Sequence, residues 1–360
     1  MTTDSPGTYQ RSRGGLARSV NMMDVALEAG VSQQTVSRVI NGHPYVSLNT
    51  RERVNAAIER LGYRPNGAAQ ALASGRQNRV TVVTANTTLY GYAATIQGIE
   101  QEARSMGLTM GIRVLDLAEP EGTIRELSAN GGNLIVVAYD SVGWRALRAV
   151  GAATAHSGVV GRTFPERGRG KAEAQWTWLD DHAAAAKATR YLLELGHRTV
   201  HHVPIPAWAG DHQRQGGWRK ALAEAGAPLP PLLPPGWDAR AGYQAGKLLA
   251  QDSSATAVLC GNDDLALGVM RALHEECLRV PEDVSVVGFD DAPQSLYFTP
   301  SLTTVHLDFV GLGQEATRLL AAQVSDAPYP PRTAASPELL IRESVGPANP
   351  TRVLSRGRTR

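Results

Sequence analysis

A short segment near the start of the chain carries side chains that can read the edges of base pairs. In a helix from Gln33 to Asn41, the residues Val36, Val39 and Ile40 are spaced three and four apart, which places them on one apolar face. The opposite face carries Gln33, Gln34, Ser37, Arg38 and Asn41. Glutamine can pair with adenine, arginine with guanine, and small hydroxyls with phosphate, so this face suits the major groove of DNA.

A helix-turn-helix arrangement would position this face. The run Met22–Ala29 is helical and Gly30 ends it, because only glycine turns there without a Cβ penalty. Ser32 then stands where the cap of the next helix belongs. A third helix begins after Ser47 and closes at Gly62. Its apolar stripe consists of Val54, Ala57, Ile58 and Leu61. The order predicts a helix-turn-helix unit, and a small helical bundle with a polar face is the simpler alternative.

The distribution of charge favours the first interpretation. The whole chain of 360 residues has a net charge of only +2. Residues 1–76 carry nine arginines and five acidic residues, hence +4, whereas the remainder carries 27 basic and 29 acidic residues, hence −2. Contact with phosphates requires positive charge on the segment that meets DNA. The basic charge is therefore placed where a DNA-binding unit needs it.

From residue 24 to residue 73 the sequence resembles the DNA-binding head and hinge of LacI/GalR-type transcription regulators. The resemblance is carried by DVALEAGVSQQTVSRVIN, VSLNTRERV and LGYRPNGAAQALA, without a gap. It implies that the second helix reads an operator and that the hinge folds in the minor groove. Leu72 occupies the position of a leucine that wedges between base pairs, and Ala69 faces the groove. Gly67 departs from the family pattern and loosens a helical hinge by about 1 kcal/mol.

The pattern and the resemblance together give one set of expected DNA-binding residues. They are Ser32, Gln33, Gln34, Thr35, Ser37, Arg38, Asn41, Tyr45, Thr50, Asn66, Ala69 and Leu72.

Beyond Arg79 the sequence alternates between short apolar runs and helical periods, which predicts parallel, doubly wound sheets. The expected strands are Val80–Thr84, the Leu115 region, Leu134–Ala138, Gly158–Val160, Val200–Val203, Thr256–Leu259 and Val284–Val287. A second cycle is expected to begin after Trp176, so the fold class is an all-α helix-turn-helix head followed by a two-lobed α/β domain. Ligands of such sheets lie beyond the carboxyl ends of the strands.

The polar and aromatic residues that follow the strands are therefore the candidates for ligand binding. They are Asn86, Tyr90, Tyr92, Asp140, Arg162, Arg214, Trp237, Asn262 and Asp290. Carboxylates, amides and a guanidinium suit a polyhydroxylated ligand, and an aromatic face stacks on a sugar ring. Asp263 also lies in this region, but it is as well suited to cap the helix that follows as to contact a ligand.

The second part of the chain resembles the effector domain of the same family, which is similar to a periplasmic sugar-binding protein. The residues that carry this resemblance are LGHRTV, GNDDLALGVMRAL, VPEDVSVVGFDD and PSLTTV. It implies effector contacts for Arg214, Asn262 and Asp290, and stacking for Trp237. The segment ANTTLYGYAA departs from the common family form, which leaves the identity of the effector open.

The expected domains are a disordered basic tail (1–19), a helix-turn-helix domain (20–65), a hinge (66–76), a two-lobed effector and dimerisation domain (77–343) and a flexible basic tail (344–360). Cys260 and Cys277 form neither a disulfide framework nor a zinc pattern, and Cys260 is expected in a core. The string Gly311, Gly313, Ala316 is expected to start a helix rather than to hold a dinucleotide. No cofactor or metal is expected. The absence of a signal core or a membrane-length apolar run predicts a cytoplasmic, nucleoid-associated protein.

These features lead to one hypothesis with several rivals. The hypothesis is a repressor, not an enzyme, that binds a pseudo-palindromic operator as a homodimer and is switched by a sugar between its lobes. One rival is a purine-responsive corepressor-type regulator, in which Trp237 would stack on a base. Others are a solute-binding protein without a DNA function and an α/β enzyme. The operator, the direction of the switch, and dimer against tetramer stay open.

Overall fold

The computed structural model describes residues 20–40, 45–62, 79–160, 176–206, 213–325 and 337–349. The chain divides into two compact units, Met1–Gln77 and Asn78–Arg360. In the described part of the first unit, the helices are α1 (Met22–Ala29), α2 (Gln33–Ile40) and α3 (Leu48–Leu61). The second unit contains two α/β lobes.

The three helices of the first unit begin and end where the sequence predicts. Asn21 caps α1 with its side-chain oxygen, which accepts from the Met23 amide at 2.8 Å. Gly30 and Gly62 end α1 and α3 with φ of +62° and +60°, the left-handed conformation that glycine adopts without strain. The Arg53 guanidinium of α3 donates to the carbonyl oxygens of Ala29 and Gly30, which anchors the turn between α1 and α2. Their shared core contains Val25, Ala26, Ala29, Val36, Val39, Val54 and Ala57.

The first lobe of the second unit is built on a five-stranded parallel sheet in the order β2-β1-β3-β4-β5. The strands are β1 (Arg79–Thr84), β2 (Thr109–Val114), β3 (Asn133–Ala138), β4 (His156–Val160) and β5 (Trp176–Trp178). The helices between them are α4 (Tyr90–Ser105), α5 (Pro120–Ala129) and α6 (Ser141–Ala149). Strands β3 and β4 are almost wholly buried, as expected for parallel strands covered on both faces.

The second lobe is also built on a five-stranded sheet, but its strands are neighbours in chain order. Its sheet has the order β10-β9-β8-β7-β6, and β10 alone runs antiparallel to its neighbour. The strands are β6 (His201–Val203), β7 (Ala257–Cys260), β8 (Ser285–Asp290), β9 (Thr303–His306) and β10 (Glu338–Leu340). The helices are α7 (Asp181–Glu194), α8 (Gln213–Glu224), α9 (Ala239–Gln251) and α10 (Asp263–Glu275), with a 3₁₀ turn at Pro293–Tyr297.

The chain then returns to the first lobe, a crossing that the sequence pattern did not reveal. Helix α11 (Phe309–Ser325) follows β9 but packs on α4 and on β4. The two helices touch at glycines, because a Cβ on Gly98 would lie 2.0 Å from the Val310 oxygen and one on Gly313 would lie 2.2 Å from the Thr95 oxygen. The described crossings between the lobes are therefore Leu179–Asp180 and Leu307–Asp308.

Several features agree with the expectations from the sequence, and two element boundaries differ from them. Cys260 is fully buried, and the string of Gly311, Gly313 and Ala316 lies in the first turns of α11. The strand expected around Leu115 ends one residue earlier, at Val114. The second cycle was expected directly after Trp176, but β5 still belongs to the first sheet. Among the described residues, no helix is both long enough and apolar enough to cross a membrane.

Candidate functional site

A cleft in the second unit is lined by residues of both lobes and contains about 500 Å³ of atom-free space, its open mouth included. The lining residues are Leu89, Tyr90, Gly91, Tyr92, Tyr139, Asp181, Ile205, Arg214, Trp237, Asn262, Asp264, Asp290 and Phe309. The lining combines apolar and aromatic side chains with a few polar groups, which is the composition of small-molecule sites.

An ion-pair network centred on Arg214 forms the polar side of the cleft. Its Nε lies 2.9 Å from Oδ2 of Asp181, the first residue of α7, and its Nη1 lies 3.3 Å from Oδ1 of Asp290, the last residue of β8. Nη1 also donates to the Gly261 carbonyl oxygen, and the guanidinium stacks on the Phe289 ring with its carbon 4.5 Å from the centroid. Burial disfavours the charge of Arg214, but the two carboxylates outweigh it and raise its pKa. The network therefore fixes the position of the Arg214 guanidinium and its N–H donors at the cleft.

The backbone at Asp290 is strained. Asp290 and Asp291 have φ of +102° and +53°, which non-glycine residues adopt at a cost of about 1–3 kcal/mol each. Asp291 is held by an ion pair to Arg342 at 2.5 Å and by His306 at 3.0 Å. Because its neighbour is anchored in this way, Asp290 is directed at Arg214. Burial raises the pKa of Asp290 to about 6, although Arg214 acts in the opposite direction.

The first lobe contributes an aromatic wall. Phe309 makes edge contacts with Tyr90 and Tyr139, with ring centroids 6.1 and 5.7 Å apart, and Tyr139 makes a third with Tyr92 at 5.1 Å. The Tyr92 hydroxyl donates to Oδ2 of Asp140 at 2.8 Å. Burial raises the pKa of both Tyr92 and Tyr139, so these hydroxyls stay neutral. The wall is therefore uncharged and offers ring faces and edges.

Asn262 and Trp237 lie next to each other in the second lobe. The side-chain oxygen of Asn262 accepts from the Leu265 amide at 2.8 Å and so caps α10, and its Nδ2 donates to the Trp237 carbonyl oxygen at 2.9 Å. The cap suggested for Asp263 is thus provided by Asn262. Asp263 is buried and instead accepts from the Ala292 amide and from the Thr304 hydroxyl, at 2.8 and 2.6 Å. These hydrogen bonds stabilise the strained backbone at Asp290 and Asp291.

The structure brings together most of the ligand-binding residues expected from the sequence. Those that line the cleft are Tyr90, Tyr92, Arg214, Trp237, Asn262 and Asp290. Asn86 is not among them, because its side-chain oxygen accepts from the amides of Thr88 and Leu89 and closes a turn. Asp140 supports the wall through Tyr92 and caps α6. Arg162 lies outside the described residues.

Seven lining residues were not predicted from the sequence, and four of these carry an aromatic ring or a carboxylate. Tyr139 directly follows β3, so the same rule that selected Asp140 points to it. Asp181 and Asp264 stand in the first turns of α7 and α10, and Asp264 directly follows Asp263, which was considered as a cap. Phe309 gave no signal, because its place depends on the return of α11 to the first lobe.

In the first unit, α2 presents the polar face that the sequence predicts. Val36 and Val39 are buried, whereas Gln33, Gln34 and Arg38 are exposed. Ser32 caps the helix, and its hydroxyl lies 2.9 Å from that of Thr35. The remaining expected residues divide into two groups. Ser37, Tyr45 and Thr50 are at least partly exposed; Asn41, Asn66, Ala69 and Leu72 lie outside the described residues.

Comparison with known proteins assigns both units. Residues 21–66 match the bacterial regulatory proteins of the lacI family, and residues 189–345 match the periplasmic binding protein-like domain. The HTH-type transcriptional repressor PurR of Erwinia tasmaniensis is 32% identical over 335 residues, which cover 89% of this chain and 96% of the relative. The chain belongs to the LacI family. The family and the fold class predicted from the sequence are thereby confirmed.

Further relatives and solved structures agree with this membership. The probable HTH-type transcriptional repressor ExuR of Bacillus subtilis is 28% identical to this LacI-family chain over 339 residues, covering 91% of it and 98% of the relative. The crystal structure of the lac repressor dimer bound to operator and the anti-inducer ONPF has a TM-score of 0.80 at 28% identity, covering 91% of this chain and all of that one. The CelR–cellobiose complex has a TM-score of 0.65 at 27% identity, covering 90% and 99%. The LacI-family chain is a DNA-binding transcriptional regulator with a ligand-binding domain.

Proposed function

We propose that this LacI-family chain is a repressor whose affinity for a pseudo-palindromic operator is switched by a sugar bound in the cleft. It would act as a homodimer, because two copies of α2 related by a twofold axis match two half-sites. The observation that carries the proposal is the presence, in one chain, of an exposed base-reading face on α2 and of a cleft built around Arg214.

The residues of the cleft support a sugar as the effector. The guanidinium of Arg214 and the carboxylate of Asp290 offer donors and acceptors at fixed positions, as neighbouring hydroxyl groups require. Trp237 and the aromatic wall offer apolar faces for the ring. The lobes are joined at the two described crossings, and closure around a ligand would change their relative angle. Ligand and operator affinities are then linked reciprocally.

A purine is the second candidate for the effector. It is favoured by the relatives named PurR and by Trp237, whose ring could stack on a base. The two candidates differ in what they demand of the polar side. A sugar needs several hydroxyl partners around its ring, whereas a purine needs an aromatic stack and a few partners at its edge.

The test of the whole proposal is selection of operator DNA from random duplexes, followed by fluorescence anisotropy with a panel of sugars and purines. We expect a palindromic sequence whose binding weakens with one sugar. Tightening with a purine would replace the sugar repressor by a corepressor-type switch. Failure to select any sequence would overturn the DNA-reading assignment of α2.

Arg38 provides a residue-level test of the same assignment. Arg38→Gln should cost about 1–3 kcal/mol of operator binding and relax specificity at one base position, because a base contact is lost. The matched control is Arg60→Gln, which removes the same charge from exposed Arg60 on α3, where it pairs with Glu28. The control should weaken binding to all sequences alike, and equal effects of the two changes would contradict base reading by Arg38.

A further inference from the structure

One carboxylate of the cleft differs from the others in its partners. Asp181 and Asp290 both contact Arg214, which offsets part of their negative charge. Asp264, in the first turn of α10, also lines the cleft. Among the residues that the structure describes, it has no hydrogen-bond or ion-pair partner. Its two oxygens are therefore available to a ligand.

The charge of the described cleft lining is unequal. It contains three carboxylates, on Asp181, Asp264 and Asp290, and one guanidinium, on Arg214. The guanidinium already contacts two of the carboxylates and the Gly261 carbonyl oxygen. An anionic ligand would find this cation neutralised and would meet the carboxylate of Asp264. Repulsion in a partly desolvated cleft is stronger than in water.

A second carboxylate, that of Asp238, lies near Asp264. Partial burial and, to a smaller extent, the nearby carboxylate of Asp238 raise the pKa of Asp264. Asp238 itself is exposed and caps α9 by accepting from the Ala241 amide at 2.8 Å. It does not line the cleft. Asp264 is thus the member of this pair that a ligand can reach.

We propose that Asp264 is the charge filter of the cleft. It accepts a hydrogen bond from a hydroxyl or amino group of the effector, and it excludes phosphate esters and carboxylates. The effector is then an uncharged or positively charged polyhydroxylated molecule. This inference rests on the proposed function, since it assumes that the effector binds in this cleft.

The test is calorimetric titration of the full chain with matched ligands. The probes are glucose, galactose and ribose, each beside its phosphate ester, its carboxylic acid and its amino derivative. We expect at least one neutral or amino sugar to bind, and its anionic counterparts to bind at least about tenfold more weakly. An anionic derivative that binds as tightly as its parent sugar would overturn the filter.

Variants separate the charge of Asp264 from its shape. Asp264→Asn should reduce the discrimination between neutral and anionic sugars to within about threefold, whereas Asp264→Glu should keep it. Asp238→Asn is the matched control, because it removes an equal charge nearby and retains a capping side chain; it should keep the discrimination. Unchanged discrimination in Asp264→Asn would overturn the assignment of Asp264.

The filter and the sugar assignment can fail separately. If no sugar of any charge binds, the sugar effector is overturned. Adenine and hypoxanthine are then compared with their nucleoside monophosphates, and tighter binding of the neutral bases supports the filter. Tighter binding of the monophosphates, or no binding in either panel, overturns it. The DNA-binding part of the proposed function is decided by the operator selection alone.

Discussion

The two walls of the cleft are built from different chemistry. The wall of the first lobe consists of aromatic and apolar residues, with Tyr90, Tyr92, Tyr139 and Phe309 in edge contact. The wall of the second lobe carries the charged groups of the cleft lining, with Arg214 at the centre. The first wall can recognise the shape of a ligand, and the second can recognise the positions of its polar groups.

This difference also predicts how each wall tolerates change. Aromatic packing is spread over many weak contacts, so the loss of one polar atom has a limited effect. An ion-pair network is concentrated in few atoms, and removal of one member leaves the others buried and unpaired. The second wall should therefore be the more sensitive to both substitution and pH.

The largest effect is expected from Arg214→Ala. The change removes the guanidinium that contacts both Asp181 and Asp290, and it should cost about 3–5 kcal/mol of stability and abolish effector binding. Chemical denaturation followed by near-ultraviolet circular dichroism measures the stability. Lys220→Ala, an exposed cation of the same helix, is the control and should change stability by less than about 0.5 kcal/mol. Equal stability of the two variants would remove the contrast between the walls.

The second effect concerns pH. The pKa of Asp290 is raised to about 6 in the folded chain from an ordinary value of 3.8. Between these values the folded state holds a proton that the unfolded state has released, so stability from this group falls as pH rises through the window. Asp290→Asn should reduce that fall, as seen in denaturation curves from pH 4 to pH 6. Parallel profiles for the variant and the wild type would refute the raised pKa.

The smallest effect is expected on the aromatic wall. Tyr92→Phe removes the hydrogen bond to Asp140 and should cost about 1 kcal/mol, because Asp140 still caps α6 through the Gly143 amide. It should leave the pH profile unchanged. Tyr243→Phe removes a hydroxyl that binds exposed Glu275 on the surface and is the control. A loss in Tyr92→Phe as large as that in Arg214→Ala would show that the first wall also depends on one polar contact.

The sequence predicted local features well where one residue type has one physical role. Gly30 and Gly62 end helices because their left-handed backbone favours glycine. Asp290 was found because ligands lie at the carboxyl ends of parallel strands. Asp263 was considered as the cap of α10, whereas Asn262 caps it, because the backbone conformation that distinguishes two adjacent residues is not visible in the sequence.

The remainder depended on long-range packing. Phe309 reaches the cleft only because α11 returns to the first lobe, and no local pattern encodes that return. The three-residue strand β5 is too short for a period of its own, and it is recognised only by its pairing with β4. Tyr139 directly follows β3 and was not among the predicted residues, and its contacts with Tyr92 and Phe309 are visible only in the fold.

The two described crossings between the lobes have a mechanical consequence. Asp181 comes directly after Leu179–Asp180, and Phe309 comes directly after Leu307–Asp308. Both residues also line the cleft, so a ligand there would contact the chain next to two connections between the lobes. Rotation of the lobes about these connections would convert a small displacement at Asp181 or Phe309 into a larger one at the far ends of the lobes.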